Sequence, residues 1–333
     1  MFIVQSYAVA VGFCVVTMVC WGSWANTQKL ASKSWSFQLF YWDYAIGVVL
    51  LSLLFGLTLG SMGAEGRGFI PDLQQASSAA LTSAFVGGVV FNIANLLIVA
   101  AIDIAGMAVA FPVGIGIALV LGVVVNYFAV PVGNPILLFS GVALVVVAIV
   151  LDALAYRGLS SDRQQTPTKG IVLSIAAGVL MGFFYRFVAA SMSLDFANPE
   201  AGQMTPYAAV FVFAVGVLSS NFLWNTIFMY RPFKGDPVSY SDYWRQGNAR
   251  LHLVGVLGGV IWCTGMSFNI LASEQAGYAV SYGLGQGATM VAAFWGVVIW
   301  KEFDGAPTTS QKLLKWMFLS FFLGLGIIIL SRV

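Results

Sequence analysis

The chain has 333 residues, 59% of them hydrophobic and only 8% charged, with a formal net charge of +2. Soluble domains carry roughly 25% charged residues, so this much apolar surface excludes a soluble protein and makes lipid the solvent for most of the chain. The small net charge gives no reason to expect a nucleic-acid partner.

A helical crossing needs about 20 mainly apolar residues. Ten stretches qualify: 6–26, 37–60, 77–102, 105–127, 134–155, 169–192, 206–230, 250–273, 276–300 and 312–331. The runs are too long and too continuous for a β-barrel. The N-terminal MFIVQSYAVAVGF has no basic segment and reads as a retained first span. Near the end of that span Trp21 and Trp24 stand at i, i+3, followed by Asn26; this suits an interfacial belt or a stacking platform. The second span carries Asp43 within FYWDYA. In the third, Asn92 and Asn95 share a face, and a short turn at Asp103–Gly106 leads to the fourth, with Pro112, Gly114, Gly116 and Gly122. Proline predicts a kink there, and the glycines tight helix crossings or sliding.

The stretch Tyr156–Lys169 is the most polar near the middle of the chain and separates the fifth and sixth spans. Arg186 lies inside the sixth span, and Asn221 with Asn225 on one face of the seventh. The eighth begins with His252, the sole histidine, expected at the interface, and aligns Trp262, Met266 and Asn269. A second short turn, Glu274–Gly277, opens the ninth span, where Tyr278, Tyr282 and Gln286 fall at i, i+4 and i+8 among Gly283, Gly285, Gly287 and Gly296. Trp295 and Trp300 read as belt or lipid-facing residues. Cys14, Cys20 and Cys263 lack zinc or disulfide spacing and read as packing residues.

One segment occurs twice. Gly87–Ile117, moved 171 residues without a gap, lies on Gly258–Ala288 with ten of thirty-one positions identical, and Asp103 falls opposite Glu274. Ten spans divided five and five force the second half to enter the membrane upside down. The expectation is an all-α integral membrane protein of ten transmembrane helices in two inverted five-helix repeats, 1–155 and 169–333, joined by a cytoplasmic linker, 156–168. Lys29, Lys33, Arg157, Arg163, Lys169, Arg231, Lys234, Arg245, Arg250, Lys301, Lys312 and Lys315 share one side, against Arg67 and Arg332 on the other. The positive-inside rule puts the larger set in the cytoplasm and both termini outside.

Buried amides need partners. Asn221 and Asn225 suit bonds between helices. Asn92, Asn95, Tyr278, Tyr282 and Gln286 lie in the repeated segment and are candidates for solute contact, with Trp21, Trp24, Trp262 and Asn269. The repeat breaks at this face, since Met107, Phe111 and Ile115 stand opposite Tyr278, Tyr282 and Gln286. A pocket with an apolar wall and a few placed polar groups suits a small ring compound. Asp43, Arg186 and Glu274 are the intramembrane charges, functional candidates by their cost. Asp43 could pair with Lys29 or titrate, and Arg186 could reach Glu274 or Asp195. No ATP-binding loop, metal cluster or nucleophile with its base is present, so neither cofactor nor catalysis is expected. Accumulation would draw on an ion gradient.

Several pieces together resemble the ureide permease and glucose/ribose-porter branch of the drug/metabolite transporter (DMT) superfamily. They are CWGSWANTQKL (Cys20–Leu30), FYWDYAIG (Phe40–Gly47), GGVVFNIANLL, VVVNYF (Val123–Phe128), GGVIWCTGMSFNILASEQAGYA and AAFWGVVIWKEF (Ala292–Phe303). The resemblance implies two inverted repeats around a central cavity and secondary active, often proton-coupled uptake of allantoin, uracil and related heterocycles, or of sugars in bacterial relatives. It makes Asp43 the first acid to test for coupling. Plant members have a long central loop where this chain has a short one, which favours a bacterial inner-membrane protein. The expected partners are a small neutral solute, a proton or other coupling ion, the bilayer and at most a second copy of the chain. Efflux of lipophilic cations and a channel are the competing readings.

Overall fold

The computed structural model describes residues 1–31, 35–159, 168–233 and 235–333. Lys33, Arg163, Lys234 and most of the expected linker lie outside the described residues.

Helix α1 (Tyr7–Ser23) starts where the Ser6 hydroxyl accepts from the Val9 amide, and α2 (Asn26–Leu30) continues the same crossing. Next come α3 (Phe37–Leu57), the short α4 (Phe69–Gln75), α5 (Ser78–Ala105), α6 (Met107–Ala129) and α7 (Pro135–Arg157). The latter part of the chain forms α8 (Thr168–Ala190), α9 (Pro206–Asn221), α10 (Trp224–Tyr230), α11 (Tyr240–Gln246) and α12 (Ala249–Ala276). It ends with α13 (Tyr278–Gly285), α14 (Ala288–Phe294), a π-helical turn at Trp295–Ile299, and α15 (Thr308–Leu330). Ten helical segments among the described residues are long and apolar enough to cross a membrane. No strand occurs among the described residues.

The outside of the bundle is apolar. Val172, Ile175, Val179 and Phe183 make an exposed stripe at helical spacing on α8, as Val147, Val150 and Leu154 do on α7. Stripes of this kind would be unstable in water and are what a lipid-facing helix requires. The N-terminal amides of the crossings are satisfied by short polar caps, Ser36 on α3, Ser77 on α5, Asn134 on α7 and Asn248 on α12.

The doubled segment is visible in the backbone. Helices α5 and α12 are both 28 residues long, and their first and last residues are 171 apart. The Ser77 and Asn248 caps accept from Ala80 and Leu251, the same offset again. Each helix stops at one glycine in the left-handed region, Gly106 at φ 77° and Gly277 at φ 83°. Only glycine takes that conformation without strain, so one residue turns the chain back into the membrane. Asp103 and Glu274 therefore lie in the last helical turn and not in the connection.

Packing repeats as well. Helix α5 rests on α8 and α9 while α12 rests on α1 and α3, and α7 pairs with α15. A methyl group on Gly88 would meet the Phe213 carbonyl and the Val217 amide, and one on Gly216 would meet the Phe85 carbonyl. Likewise one on Gly259 would meet the Tyr44 carbonyl and the Val48 amide, and one on Gly47 the Val256 carbonyl. The two sets correspond with α5 and α12 offset by 171 and α3 and α9 by 169. Backbones that touch at glycine gain dispersion contacts over a long crossing, the main attraction available in lipid.

Symmetry ends at the ninth span. Helix α6 runs unbroken through Pro112. Its counterpart is interrupted at Gln286–Gly287, between α13 and α14, where the Thr289 amide and hydroxyl both donate to the Gln286 carbonyl.

Candidate functional site

Aromatic rings from five helices meet in the middle of the bundle. Trp262 lies midway along α12, buried, with its centroid 4.4 Å from Phe91 of α5 and 6.3 Å from Tyr44 of α3. It stacks within 18° on Phe213 of α9 at 5.9 Å and within 13° on Trp21 of α1 at 6.0 Å. Tyr44 extends the group to Tyr41, stacked at 5.0 Å, and to Trp24 at 4.8 Å. Close glycine crossings bring the rings together. Gly88 lets α9 approach at Phe213, Gly259 lets α3 approach at Tyr44, and a methyl on Gly265 would strike the Trp21 ring.

These rings are related in pairs. Phe91 and Trp262 are 171 apart and Tyr44 and Phe213 are 169 apart, the offsets of their helices. A residue that touches its own counterpart marks where the two copies meet face to face, as in an isologous contact between subunits.

Amide side chains border the cluster. Asn95 donates to the Tyr41 hydroxyl at 3.1 Å, and Asn92 to the Ser220 hydroxyl at 2.9 Å and the Val217 carbonyl at 3.2 Å. Asn269 donates to the Ser281 carbonyl at 2.8 Å and Asn225 to the Gln38 carbonyl at 2.9 Å. For Asn92, Asn269 and Asn225 an amide oxygen in that place would face a carbonyl oxygen, which fixes the orientation of those three groups. The opposite ends stay unsatisfied: the Oδ1 atoms of Asn92, Asn225 and Asn269 and the Tyr44 hydroxyl are buried without a hydrogen-bond partner among the described residues. Gln286, 8% exposed, sits at the break in the ninth span. A methyl on neighbouring Gly285 would press on both Trp21 and Asn269. The structure thus brings Trp21, Trp24, Trp262, Asn95 and Asn269 into or against the cluster, with Asn92 one residue from Phe91 and Gln286 next to Gly285.

It holds Tyr278 and Tyr282 elsewhere. The Tyr282 hydroxyl donates to the Ala118 and Met181 carbonyls, each at 3.2 Å, and the ring fills the hollow at Gly122. Tyr278 packs near Tyr185, whose hydroxyl bonds Ser281. Two clefts also lie away from the rings, one at Ser52, Tyr207 and Ser267 and one of about 450 Å³ at Ser83 and Phe187. Within the cluster Tyr44, Phe91, Phe213 and Trp262 are buried.

Asp43, 2% exposed, accepts from the Tyr243 hydroxyl of α11 at 2.5 Å and faces Nδ1 of His252 at 3.0 and 3.1 Å. Lys29 pairs with Glu302 instead, at 3.0 Å. Glu274 accepts the Phe196 amide at 2.7 Å while its other oxygen has no partner among the described residues. Arg186 forms no ion pair among the described residues. At the opposite end from Asp43, buried Asp72 accepts from Arg67 at 2.9 Å and from the Thr205 amide and hydroxyl at 2.7 and 2.8 Å. No group of three potential metal ligands occurs among the described residues.

Sequence reasoning did not single out Tyr41, Tyr44, Phe91, Phe213 or Tyr243. Phe91 was findable, being the counterpart of Trp262 inside the doubled segment. Tyr243 lies in a polar connection about 200 residues from its acid, with no periodicity to mark it.

The family model described as ureide permease matches residues 40–169 and 163–331. Ureide permease 1 of Arabidopsis thaliana is 21% identical over 390 residues, covering 99% of each chain, and ureide permease 4 of the same plant is 23% identical over 401 residues, also covering 99% of each. An alignment of 390 positions against 333 residues leaves at least 57 where the relative has residues and this chain has none (390 − 333). A solved crystal structure aligns over 95% of this chain and 96% of its own with a TM-score of 0.59 at 14% identity, a likeness of fold alone.

Proposed function

The chain belongs to the ureide permease family, and from that premise we propose that it is a secondary transporter importing a small, neutral, nucleobase-like or ureide solute, driven by protons. The observation that carries the reading is the meeting of Phe91 with its counterpart Trp262, joined by Trp21, Tyr44 and Phe213. Five helices end their packing at one point midway through the membrane, where rings offer flat faces to a planar solute. The unsatisfied oxygens of Asn92 and Asn269 supply acceptors for the N–H groups of a urea-like ring. Their amino groups are already spent on protein oxygens, so a donor-rich solute is the better match.

Two five-helix halves, 1–155 and 169–333, mounted inversely in a DMT-type arrangement, would open the cluster alternately to each side. The offsets of 171 between α5 and α12 and of 169 between α3 and α9 support this, and so does the repeated glycine packing. The proposed setting is a bacterial cytoplasmic membrane with both termini outside. Sugar uptake is the second reading, since the Trp21–Trp262 stack would also accept the apolar face of a pyranose ring.

Counterflow of radiolabelled uracil and allantoin in proteoliposomes, with glucose and ribose as competitors, separates these. Trp262→Ala is expected to weaken it. Stacking of a base on an aromatic ring is worth about 1–3 kcal/mol, which predicts a loss of affinity of roughly 5- to 150-fold. Counterflow unaffected by Trp262→Ala would remove the ring cluster from the pathway. Counterflow inhibited by ribose and not by allantoin would reverse the order of the two readings.

A further inference from the structure

The mirrored scaffold makes one departure from its own symmetry that the ring cluster does not use. Asp43 and His252 face each other across α3 and α12. By the same offsets their counterparts are Val212 on α9 and Leu81 on α5, an apolar pair. An acid and the only histidine of the chain thus occur together at one end of the bundle and at no matching place on the other. Gly255 makes room for them, since a methyl there would collide with Cβ of Asp43.

The pair is covered. Helix α11 links α10 to α12, and none of its residues is fully buried. It is held down at Tyr243, whose hydroxyl donates to Oδ1 of Asp43 and whose ring lies 4.7 Å from His252 and 5.8 Å from Trp35. Trp35, 3% exposed, meets the His252 ring edge-on at 5.4 Å. Burial, and then the neighbouring carboxylate, push the Tyr243 phenol up, so it stays a donor throughout the physiological range. Among the described residues, the titratable groups that face Asp43 are Tyr243 from α11 and His252 from α12. Helices α9 and α10 meet α3 through Asn221, Asn225 and Met229, which do not titrate.

We infer that Asp43, His252 and Tyr243 form a proton-operated latch that pins α11 over one end of the bundle. With the carboxylate ionised, Nδ1–H of His252 and the Tyr243 hydroxyl both donate to it, and α11 is tied to α3 and α12. A proton arriving from water and taken up by the carboxyl group shifts the imidazole to its Nε2–H tautomer, so that Nδ1 accepts from the new O–H. The carboxyl group then holds the phenol weakly, because hydrogen bonds to a neutral acceptor are roughly half as strong as those to a charged one. Release of Tyr243 unties α11 from the intramembrane acid and leaves it held through Tyr240, whose hydroxyl bonds that of Thr226 on α10 and whose ring lies 5.7 Å from Trp42 of α3. The latch rests on the transporter reading for its purpose, since it would make opening of one end depend on a bound proton.

Hydrogen exchange of the full chain in nanodiscs, without solute, tests it. After correction for the intrinsic pH dependence of amide exchange, the open population of residues 239–247 is expected to rise on acidification by up to about tenfold per pH unit, the slope of a single proton-binding site. Tyr243→Phe and Asp43→Asn are expected to exchange at the fully released rate at every pH, while the peptides of α5 and α12 keep native protection, which shows that the variants are folded. Protection of 239–247 that is flat from pH 5 to 8 in the native chain, or unchanged by Tyr243→Phe, would overturn the latch. Counterflow of uracil and allantoin in the native protein decides the transporter reading separately. Its failure with both would sink that reading, and flat exchange beside intact counterflow would sink the latch alone.

Discussion

Placing a methyl group at Gly88 or Gly259 tests whether the two copies of the motif are physically the same. At Gly259 the new carbon would strike the Tyr44 carbonyl and lie 2.9 Å from the Val48 amide nitrogen; at Gly88 it would strike the Phe213 carbonyl and lie 2.8 Å from that of Val217. Both obstacles are backbone, which cannot rotate away, so α12 must move off α3 and α5 off α9. Overpacking of this kind costs about 1–3 kcal/mol. Glycine to alanine in a free helix has the opposite sign and gains up to roughly 1 kcal/mol. Gly116 on α6 has open space where its methyl would go and is the control. At roughly 2–4 °C per kcal/mol, Gly88→Ala and Gly259→Ala should each lower the unfolding midpoint in detergent by about 2–12 °C, and by similar amounts. Gly116→Ala should hold or raise it. The reasoning fails if only one of the pair is destabilised, or if the control falls with them.

Three further outcomes are expected. Asp72→Ala leaves Arg67 and the Thr205 amide without their shared acceptor; breaking a buried pair costs about 3–5 kcal/mol, and limited proteolysis should cut the 191–205 segment faster than in the native chain. Tyr282→Phe removes two hydrogen bonds to helix carbonyls and should lower the unfolding midpoint slightly while leaving counterflow affinity unchanged; weakened affinity would return Tyr282 to the solute site. Hydrogen bonds from the side chain and backbone of Ser239 hold the exposed Asp242 carboxyl below its ordinary value. Its support of the α11 N-terminus is therefore complete above the unfolded value near ~3.9 and lost as pH falls through the lower folded one. Ser239→Ala should accordingly leave the pH profile of α11 exchange between pH 5 and 8 unchanged in shape.

The crossings were legible because lipid demands long apolar runs, and the doubled segment because α5 and α12 kept their glycines in one ungapped register. The correspondence of α3 with α9 was hidden. In sequence it is only a short match, AIGV at 45–48 against AVGV at 214–217, and the backbone contacts at Gly47 and Gly216 are what reveal it, while neighbouring side chains diverged to Tyr44 and Phe213. Helical spacing put Tyr278, Tyr282 and Gln286 on one face, and the Gln286 amide still bonds the Tyr282 carbonyl at 3.2 Å; what spacing did not show is the break that follows at Gly287. The Asp43 partners could not be read, since neither hydropathy nor spacing links a membrane acid to a tyrosine in a distant polar connection.

Where counterparts in the doubled segment differ, the two copies can present unlike groups to one solute, and Gln286 is the plainest such position near the rings. Its counterpart is Ile115, in a helix that runs on without a break. Gln286→Ile imposes the apolar choice on the polar half. The substitution removes a side chain with no hydrogen bond of its own among the described residues, so the unfolding midpoint should change little. A buried polar group left facing a solute N–H or carbonyl is worth about 1–3 kcal/mol, and counterflow should need roughly 5- to 150-fold more solute for half-saturation. Gln286→Glu keeps the acceptor, removes the donor and adds a charge, so it separates the two roles: affinity retained for an N–H-rich ring such as allantoin means that Gln286 accepts from the solute. Unaltered half-saturation in Gln286→Ile would show that the break in the ninth span serves the motion of the helix and not the recognition of what it carries.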